Sequence, residues 1–543
     1  MSDKYIVIVP PPTPNGNLHV GHFAGPFLAS DVFARAHRAA GDEVLYTTGT
    51  DDSQSYVVTT AVRRGVLPSV LCKRSTDEIR ESLEQLEISI DGFAPFDAEY
   101  RDTCLNFLTE LFEAGKFVWK DKEFFVRSNG EAVYEAYVKG RCPTCLASTS
   151  GGLCESCGHA NNFTEILEPF ATLSPTERLT KRTFRILVFE LEQYRLQLEA
   201  YYSASARYLR PHIRRLMDEM FAGRLPDFPI TYPGSWGLPA PFEGASGQVI
   251  NAWAEGMPAS MYCTAVAARR RGLDCPAADE MWKVEHGFKL IYFMGFDNSY
   301  FWGMSHLALL MAFDGRYILP ETMVTNEFYE LENEKFSTSK GHVIWAPQIA
   351  EEYAMDATRF YLCWTNPEHH RTNFSRREME KLILERVVPA WKGLSENAGK
   401  LLKRLPPTSK YLQYGSESMQ RVERMQETIG ACYNPRTFSI RDAASLILMH
   451  IERLQDASEK LVEGKRELSV EAVGDIWHEL LNLLRLGSPV VTDWECAAGI
   501  LSTADGYAFD RLRELSLPEL RLTRDDRSSM PERTSSEILQ VVA

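Results

Sequence analysis

The stretch YIVIVPPPTPNGNLHVGH, Tyr5 to His22, decides how the fold is read. Tyr5 to Val9 is an apolar, largely β-branched run of strand type. The prolines and Asn15-Gly16 that follow force a turn. A helical pattern then runs from about Ala24 to Ala40, and Glu43-Val-Leu-Tyr-Thr-Thr48 reads as a second strand. Strand, glycine-containing turn, helix, strand is a βαβ unit, and in such sheets ligands sit at the carboxyl ends of the strands. The first loop is therefore where chemistry is expected. His19 and His22, three apart at the start of the helix, fall on one face. A helix start with two imidazoles suits a phosphate, since backbone N–H groups point at the anion and the rings donate hydrogen bonds as charge builds up. By itself such a histidine pair is equally compatible with ordinary polar residues.

At 543 residues with 44% hydrophobic content the chain is long enough for several domains with sizeable cores. No run approaches the roughly 20 apolar residues of a membrane span, and the N-terminal apolar stretch is too short for a signal peptide, so a cytoplasmic protein is expected. A formal charge of −15 argues against whole-surface nucleic-acid binding, leaving only a local basic path. Helix is expected up to about Gly115 and again over Glu177 to Ala222. A strand is expected at Gly287 to Met294, and from Arg376 amphipathic helices form a bundle. The charged, Ser-rich residues after Ala504 are expected to be partly disordered. The run Ala268-Arg-Arg-Arg-Gly272 reads chiefly as a solvated face.

Four of the 11 cysteines form Cys142-Pro-Thr-Cys145 and Cys154-Glu-Ser-Cys157. Two CxxC pairs this close can wrap four thiolates around one tetrahedral ion, and zinc suits an all-sulfur site. Disulfides or redox thiols are the alternative, disfavoured in a reducing compartment. Four protein thiolates leave no open position, so the role is structural.

Far downstream, Lys335-Phe-Ser-Thr-Ser-Lys-Gly341 concentrates cations and hydroxyls into an anion-binding patch. HVGH in the first βα turn together with this stretch resembles the two signatures of class I aminoacyl-tRNA synthetases. Within that class the chain is similar to methionyl-tRNA synthetases along nearly its whole length, from YIVIVPPPTPNGNLHVGH through GTDD and the CxxC pairs to EYAMDATRFYL and the bundle.

The resemblance implies an α/β, Rossmann-type class I synthetase catalytic domain with a zinc-knuckle connective insertion, followed by an α-helical anticodon-binding-like bundle. The expected division is 1–115 and 231–375 for the catalytic halves, 116–230 for the insertion, 376–503 for the bundle and 504–543 for the tail. It implies attack of an amino-acid carboxylate on the α-phosphate of ATP, with Mg2+ held mainly by phosphates and water, and transfer of the aminoacyl group to a hydroxyl acceptor. His19, His22, Lys335, Thr338 and Lys340 match catalytic positions. Asn15, Gly21, Asp297, Asn298, Ser337 and Ser339 match ATP-binding ones. Thr13, Asp51, Trp253 and Trp302 match the amino-acid pocket, with Asp51 pairing the substrate ammonium. Cys142, Cys145, Cys154 and Cys157 match the Zn2+ ligands.

Departures from the family pattern redirect the substrate. Thr13 stands where a tyrosine usually closes on methionine, and Trp302 stands for a pocket histidine. Phe296 replaces a lysine, and Ser53-Gln54 replaces His-Gly. On the bundle, Lys392, Glu396 and the segment Ile451 to Lys460 lack the anticodon-reading asparagine, arginine and tryptophan. A glutamate in place of an RNA-contacting arginine reverses the sign of the interaction. Thr338 occupies a position where a lysine is common, which leaves Lys335 and Lys340 to carry the loop's charge. Three readings follow: a methionine–tRNA ligase, a paralogue, and a non-catalytic RNA-binding relic. The favoured one is a paralogue that activates a small amino acid such as glycine and transfers it to a small-molecule N-hydroxy amine. It resembles the synthetase-like part of cupin–methionyl-tRNA-synthetase-like hydrazine synthetases, with a separate cupin protein as partner.

Overall fold

The computed structural model describes residues 2–205, 208–334, 336, 341–406, 410–464, 468–497, 500 and 506–523. Its centre is a five-stranded parallel sheet in the order Pro320–Asn326, Lys289–Gly295, Lys4–Ile8, Glu43–Thr48, Gly92–Phe93. Numbered along the chain this is the order 5-4-1-2-3, the doubly wound arrangement. The chain reverses direction of winding between Lys4–Ile8 and Lys289–Gly295, and a crevice opens beyond their carboxyl ends. Both strands are apolar on both faces, with Ile6, Val7, Leu290, Ile291 and Tyr292 fully buried, as a sheet covered on two sides requires.

The expected strands at Tyr5–Val9 and Glu43–Thr48 are observed at Lys4–Ile8 and Glu43–Thr48, and the first crossover helix is Leu28–Ala39. Before it, Val20–His22 and a wide turn of π-helix at Phe23–Phe27 carry the chain out of the first loop. The helical region up to Gly115 contains helices Ser55–Arg64, Pro68–Gln85 and Ala98–Glu113, interrupted by the short edge strand Gly92–Phe93.

The expected helix over Glu177 to Ala222 is corrected at its first third. Thr180–Glu190 is a strand that pairs with Phe117–Val126 along its length. Among the described residues, a short 3-10 helix at Leu191–Tyr194 follows, then α-helices at Arg195–Ser205 and Pro211–Phe221. Ile186, Leu187, Val188 and Phe189 are all buried, so long-range pairing in a second sheet overrides the helical period suggested by the charged residues around them. This sheet and the cysteine segment lie between the third and fourth strands of the central sheet.

Helices Val388–Lys403, Ser416–Tyr433, Ile440–Glu463 and Val470–Gly487 form the bundle. Residues 506–523 of the segment after Ala504 pack against the rest of the chain. Tyr507–Ala508 pairs with Tyr411–Leu412, the Trp391 indole N–H donates to the Pro518 carbonyl at 2.7 Å, and the Ala354 N–H donates to the Leu522 carbonyl at 2.9 Å. Tyr507, Phe509 and Leu512 supply the apolar area that holds it there. No helix among the described residues is long and apolar enough to cross a membrane.

Candidate active site at the sheet switch point

The residues singled out in the sequence converge. Thr13, Asn15, His19, Gly21, His22, Asp51, Trp253, Asp297, Asn298 and Trp302 all line one cavity of about 440 Å3 at the crevice. They come from the loop after the first strand, the loop after the second, the helix Ala252–Arg270 and the turn after the fourth strand. Lys335, Ser337, Thr338, Ser339 and Lys340 lie outside the described residues. Their described neighbours meet the first loop: the Phe336 ring stacks on His19 at 4.6 Å, the Val20 N–H donates to the Ile344 carbonyl, and the Ala346 N–H donates to that of Leu18.

The histidine pair is built by local geometry. His19 caps the turn, its Nδ1 accepting from the Gly21 N–H at 3.1 Å, while the His19 N–H donates to His22 Nδ1 at 3.2 Å. The rings stack at 3.8 Å. Gly21 is required here, because a Cβ would come within 2.9 Å of the His19 ring. With both Nδ1 atoms accepting, the neutral tautomer of each ring carries its proton on Nε2. Burial, followed by the neighbouring His22, lowers His19 well below the usual imidazole range, and desolvation by the atoms around its ring lowers His22, itself an exposed residue, to about 4. At neutral pH the site thus holds two uncharged N–H donors.

Opposite chemistry surrounds the second loop. Asp51 is anchored by its N–H to the Pro12 carbonyl at 3.1 Å, and its Oδ2 accepts from Gln54 Nε2 at 2.7 Å, while Oδ1 is buried without a partner. Burial drives its carboxyl well above the usual range; the Gln54 bond opposes this, and the nearby Asp52 and Glu135 add to it. A ligand cation at Oδ1 reverses that balance.

The aromatic wall is a packed unit. Trp253 lies flat on Phe301 at 3.8 Å, and its carbonyl is hydrogen-bonded to His306 Nε2. Trp302, 2% exposed, stands perpendicular to Tyr292 and sits 4.6 Å from His306. Gly256 admits this stack: a Cβ would come within 3.1 Å of His306 and 3.5 Å of Trp302. Gly295 likewise leaves room for Asp297, whose Oδ1 accepts from Asn298 Nδ2 at 3.2 Å.

Sequence reasoning missed His306, Glu255, Glu135 and the cavity contributions of Gly151, Leu153 and Glu155. Only His306, one helical turn beyond Trp302, carried a usable signal.

The four cysteine sulfurs of Cys142, Cys145, Cys154 and Cys157 lie within 4.8 Å of one another. Two matching turns place them: the Leu146 N–H donates to the Cys142 carbonyl and the Gly158 N–H to that of Cys154. Leu146 and Gly158 are both left-handed, with φ of 62° and 77°. This all-thiol set fits a structural zinc, and the segment carrying it places Glu155 on the cavity wall.

A doubly wound sheet with a histidine pair at its switch point, an inserted four-cysteine knuckle and a trailing helical bundle defines a doubly wound α/β class of protein with its candidate site at the switch point. Residues 5–396 match the family described as tRNA synthetases class I (M). The chain belongs to that family. It is 27% identical over 457 residues to a methionine–tRNA ligase of Cytophaga hutchinsonii, covering 82% of this chain and 64% of that one. It is 30% identical to one from a Roseiflexus species, covering 74% of this chain and 69% of that one. Against the Christiangramia forsetii relative it spans 55% of the partner's length. Mycobacterium tuberculosis methionyl-tRNA synthetase bound by methionyl-adenylate shares the fold, with a TM-score of 0.71 at 17% identity, covering 92% of this chain and 95% of that one.

Proposed function

We propose that the chain uses ATP to activate an amino acid as its adenylate and passes the aminoacyl group to a hydroxyl acceptor. The observation that carries this is the convergence of the histidine turn, Asp51, Trp253 and the Asp297-Asn298 turn on one cavity at the sheet switch point. In this reading the neutral His19 and His22 donate to phosphate oxygens and gain strength as negative charge develops. Asp51 Oδ1 takes the substrate ammonium, and Asp297 and Asn298 take the ribose. Lys335 and Lys340 supply the charge that Thr338 lacks. Asn15, Gly21, Ser337 and Ser339 complete the nucleotide site. Mg2+ accompanies ATP, zinc fills the cysteine knuckle, and the protein works in the cytoplasm. The domain limits given above are the partition we propose.

The favoured substrate is a small amino acid, with a small-molecule N-hydroxy amine as acceptor and a separate cupin protein as partner. The support is Trp302, buried in the wall and braced by Tyr292 and His306, and Thr13 on the facing loop with no ring to close over a long side chain. Lys392 and Glu396 are exposed on the first bundle helix, with Glu396 pairing Lys400 at 3.5 Å, so the surface there is of mixed charge rather than basic. The second reading, a methionine–tRNA ligase, is favoured by the family and by the relatives' names.

An ATP–pyrophosphate exchange screen over all amino acids, with tRNA charging alongside, tests both. Exchange driven by glycine or another small amino acid without charging supports the first reading. Methionine-driven exchange with charging of methionine tRNA replaces it with the second, and no exchange with any amino acid removes both. Loss of stoichiometric zinc in Cys154→Ser, measured by elemental analysis, tests the knuckle.

A further inference from the structure

Among the described residues, the buried carboxylate oxygens without a hydrogen-bond partner belong to Asp51, Glu135 and Glu255. Each of the three is hydrogen-bonded to one residue of a single tripeptide. Ser53 Oγ donates to Glu255 Oε2 at 2.9 Å, Gln54 Nε2 to Asp51 Oδ2 at 2.7 Å, and Ser55 Oγ to Glu135 Oε2 at 3.1 Å. Glu255 reaches the tripeptide from the helix Ala252–Arg270 and Glu135 from the inserted segment, both nearly fully buried. The loop is therefore pinned on both flanks, and only the middle side chain turns to the cavity.

Gln54 is 1% exposed, and its Oε1 is buried without a partner. The amide orientation follows from the ligand-bound state: with an ammonium at Oδ1 the Asp51 carboxyl is ionised and only accepts, so the NH2 faces Asp51 and the oxygen is left free. Leaving a buried amide oxygen unmet is unfavourable, and a ligand N–H at this wall relieves it. One hydrogen-bonded pair thus carries two unmet acceptors, Asp51 Oδ1 and Gln54 Oε1, at a site with no Lys or Arg among the described cavity-lining residues.

We propose that Gln54 is a specificity-determining residue of the amino-acid site, its Oε1 accepting a second hydrogen bond from the primary ammonium held by Asp51. This rests on the reading that the cavity activates an amino acid. Two acceptors fix the direction of the ammonium and hence of the carboxylate that must attack. They also set the site against tertiary amines, whose ammonium offers a single N–H to the two acceptors.

The test is ATP–pyrophosphate exchange by the full chain with an amino acid and its N,N-dimethyl form, glycine with N,N-dimethylglycine and L-methionine with N,N-dimethyl-L-methionine. Gln54→Met keeps an unbranched chain of similar length without the acceptor. Q54M is expected to raise the KM of the primary amino acid by about 10-fold to 100-fold. The KM for ATP stays the same, and the preference over the dimethyl form shrinks by a similar factor. If Gln54 only steadies Asp51, Q54M weakens both substrates alike and the preference is unchanged, which overturns the proposal. A wild type that takes the primary and dimethyl forms equally well overturns it too, and this arm stands even if Q54M fails to fold. Wild-type protein that exchanges with no amino acid removes the adenylation reading, and this inference with it. Wild-type exchange with unaltered Q54M removes this inference alone.

Discussion

At two places the molecule buries carboxylates and treats them in opposite ways. At the joint between the central sheet and the bundle, Asp31 Oδ1 accepts from the Ser89 N–H and hydroxyl at 2.7 and 2.6 Å. Its Oδ2 accepts from Arg35 at 2.9 Å and Arg359 at 2.7 Å. Arg359, itself fully buried, also donates to the Pro489 and Val490 carbonyls. Burial alone raises an acid, but the Arg35 and Arg359 guanidiniums and the Ser89 bonds outweigh it and hold Asp31 well below the usual range. Around the loop Thr50–Ser55 the balance is reversed. Burial leads, one oxygen of each acid is unmet, and Asp51 and Glu255 are driven well up while Glu135 rises to about 7. A carboxylate whose bonds are complete holds a structure together; of the three incomplete ones, Asp51 is the one on the cavity wall, placed to take a ligand.

The contrast is open to direct attack. The largest effect is expected at the joint. Asp31→Asn leaves Arg359 buried beside a neutral partner and costs roughly 3–5 kcal/mol of stability, read as a lowered midpoint in chemical denaturation. A midpoint unchanged within error would put Asp31 on the same footing as the cavity acids. Next, His22→Ala removes a preorganised donor and should slow exchange by about 100-fold to 1,000-fold with the folded state intact by circular dichroism.

Asp51→Asn is expected to lower kcat/KM for the amino acid by about 100-fold, leaving the KM for ATP nearly untouched. The wild type carries a pH signature of the same group. Because burial raises Asp51 and only its ionised form attracts an ammonium, the amino-acid KM rises as pH falls through the raised pKa. A KM flat across the acid range would contradict that assignment. The smallest effect is at Glu255→Gln, which neutralises an acid already disfavoured by burial. Its stability should change by no more than about 1 kcal/mol, in either direction. A loss as large as that of Asp31→Asn would erase the distinction between the two sites.

Legibility in the sequence followed the range of the interactions. The cysteine turns were visible because four ligands within sixteen residues are a local matter. The histidine turn was visible because its capping bonds span only three residues. The strand Thr180–Glu190 was misread because its partner, Phe117–Val126, lies some sixty residues earlier. The docking of Tyr507 to Leu522 was hidden for the same reason, since its partners lie near residues 354, 391 and 411. Gln54 was noticed only as a departure from a family pattern. Nothing in the string Ser-Gln-Ser shows that one neighbour is held from residue 255 and the other from residue 135.

The sequence by itself determined the βαβ start, the four-cysteine set, the family and the order of sheet, insertion and bundle. Each of these rests on residue types at short, regular spacing, where backbone geometry leaves few choices. Only the tertiary structure decided which polar groups are satisfied and which are left facing a cavity. That property is a sum over partners brought from distant parts of the chain, and it separates Asp31, a joint, from Asp51 and Gln54, a candidate site.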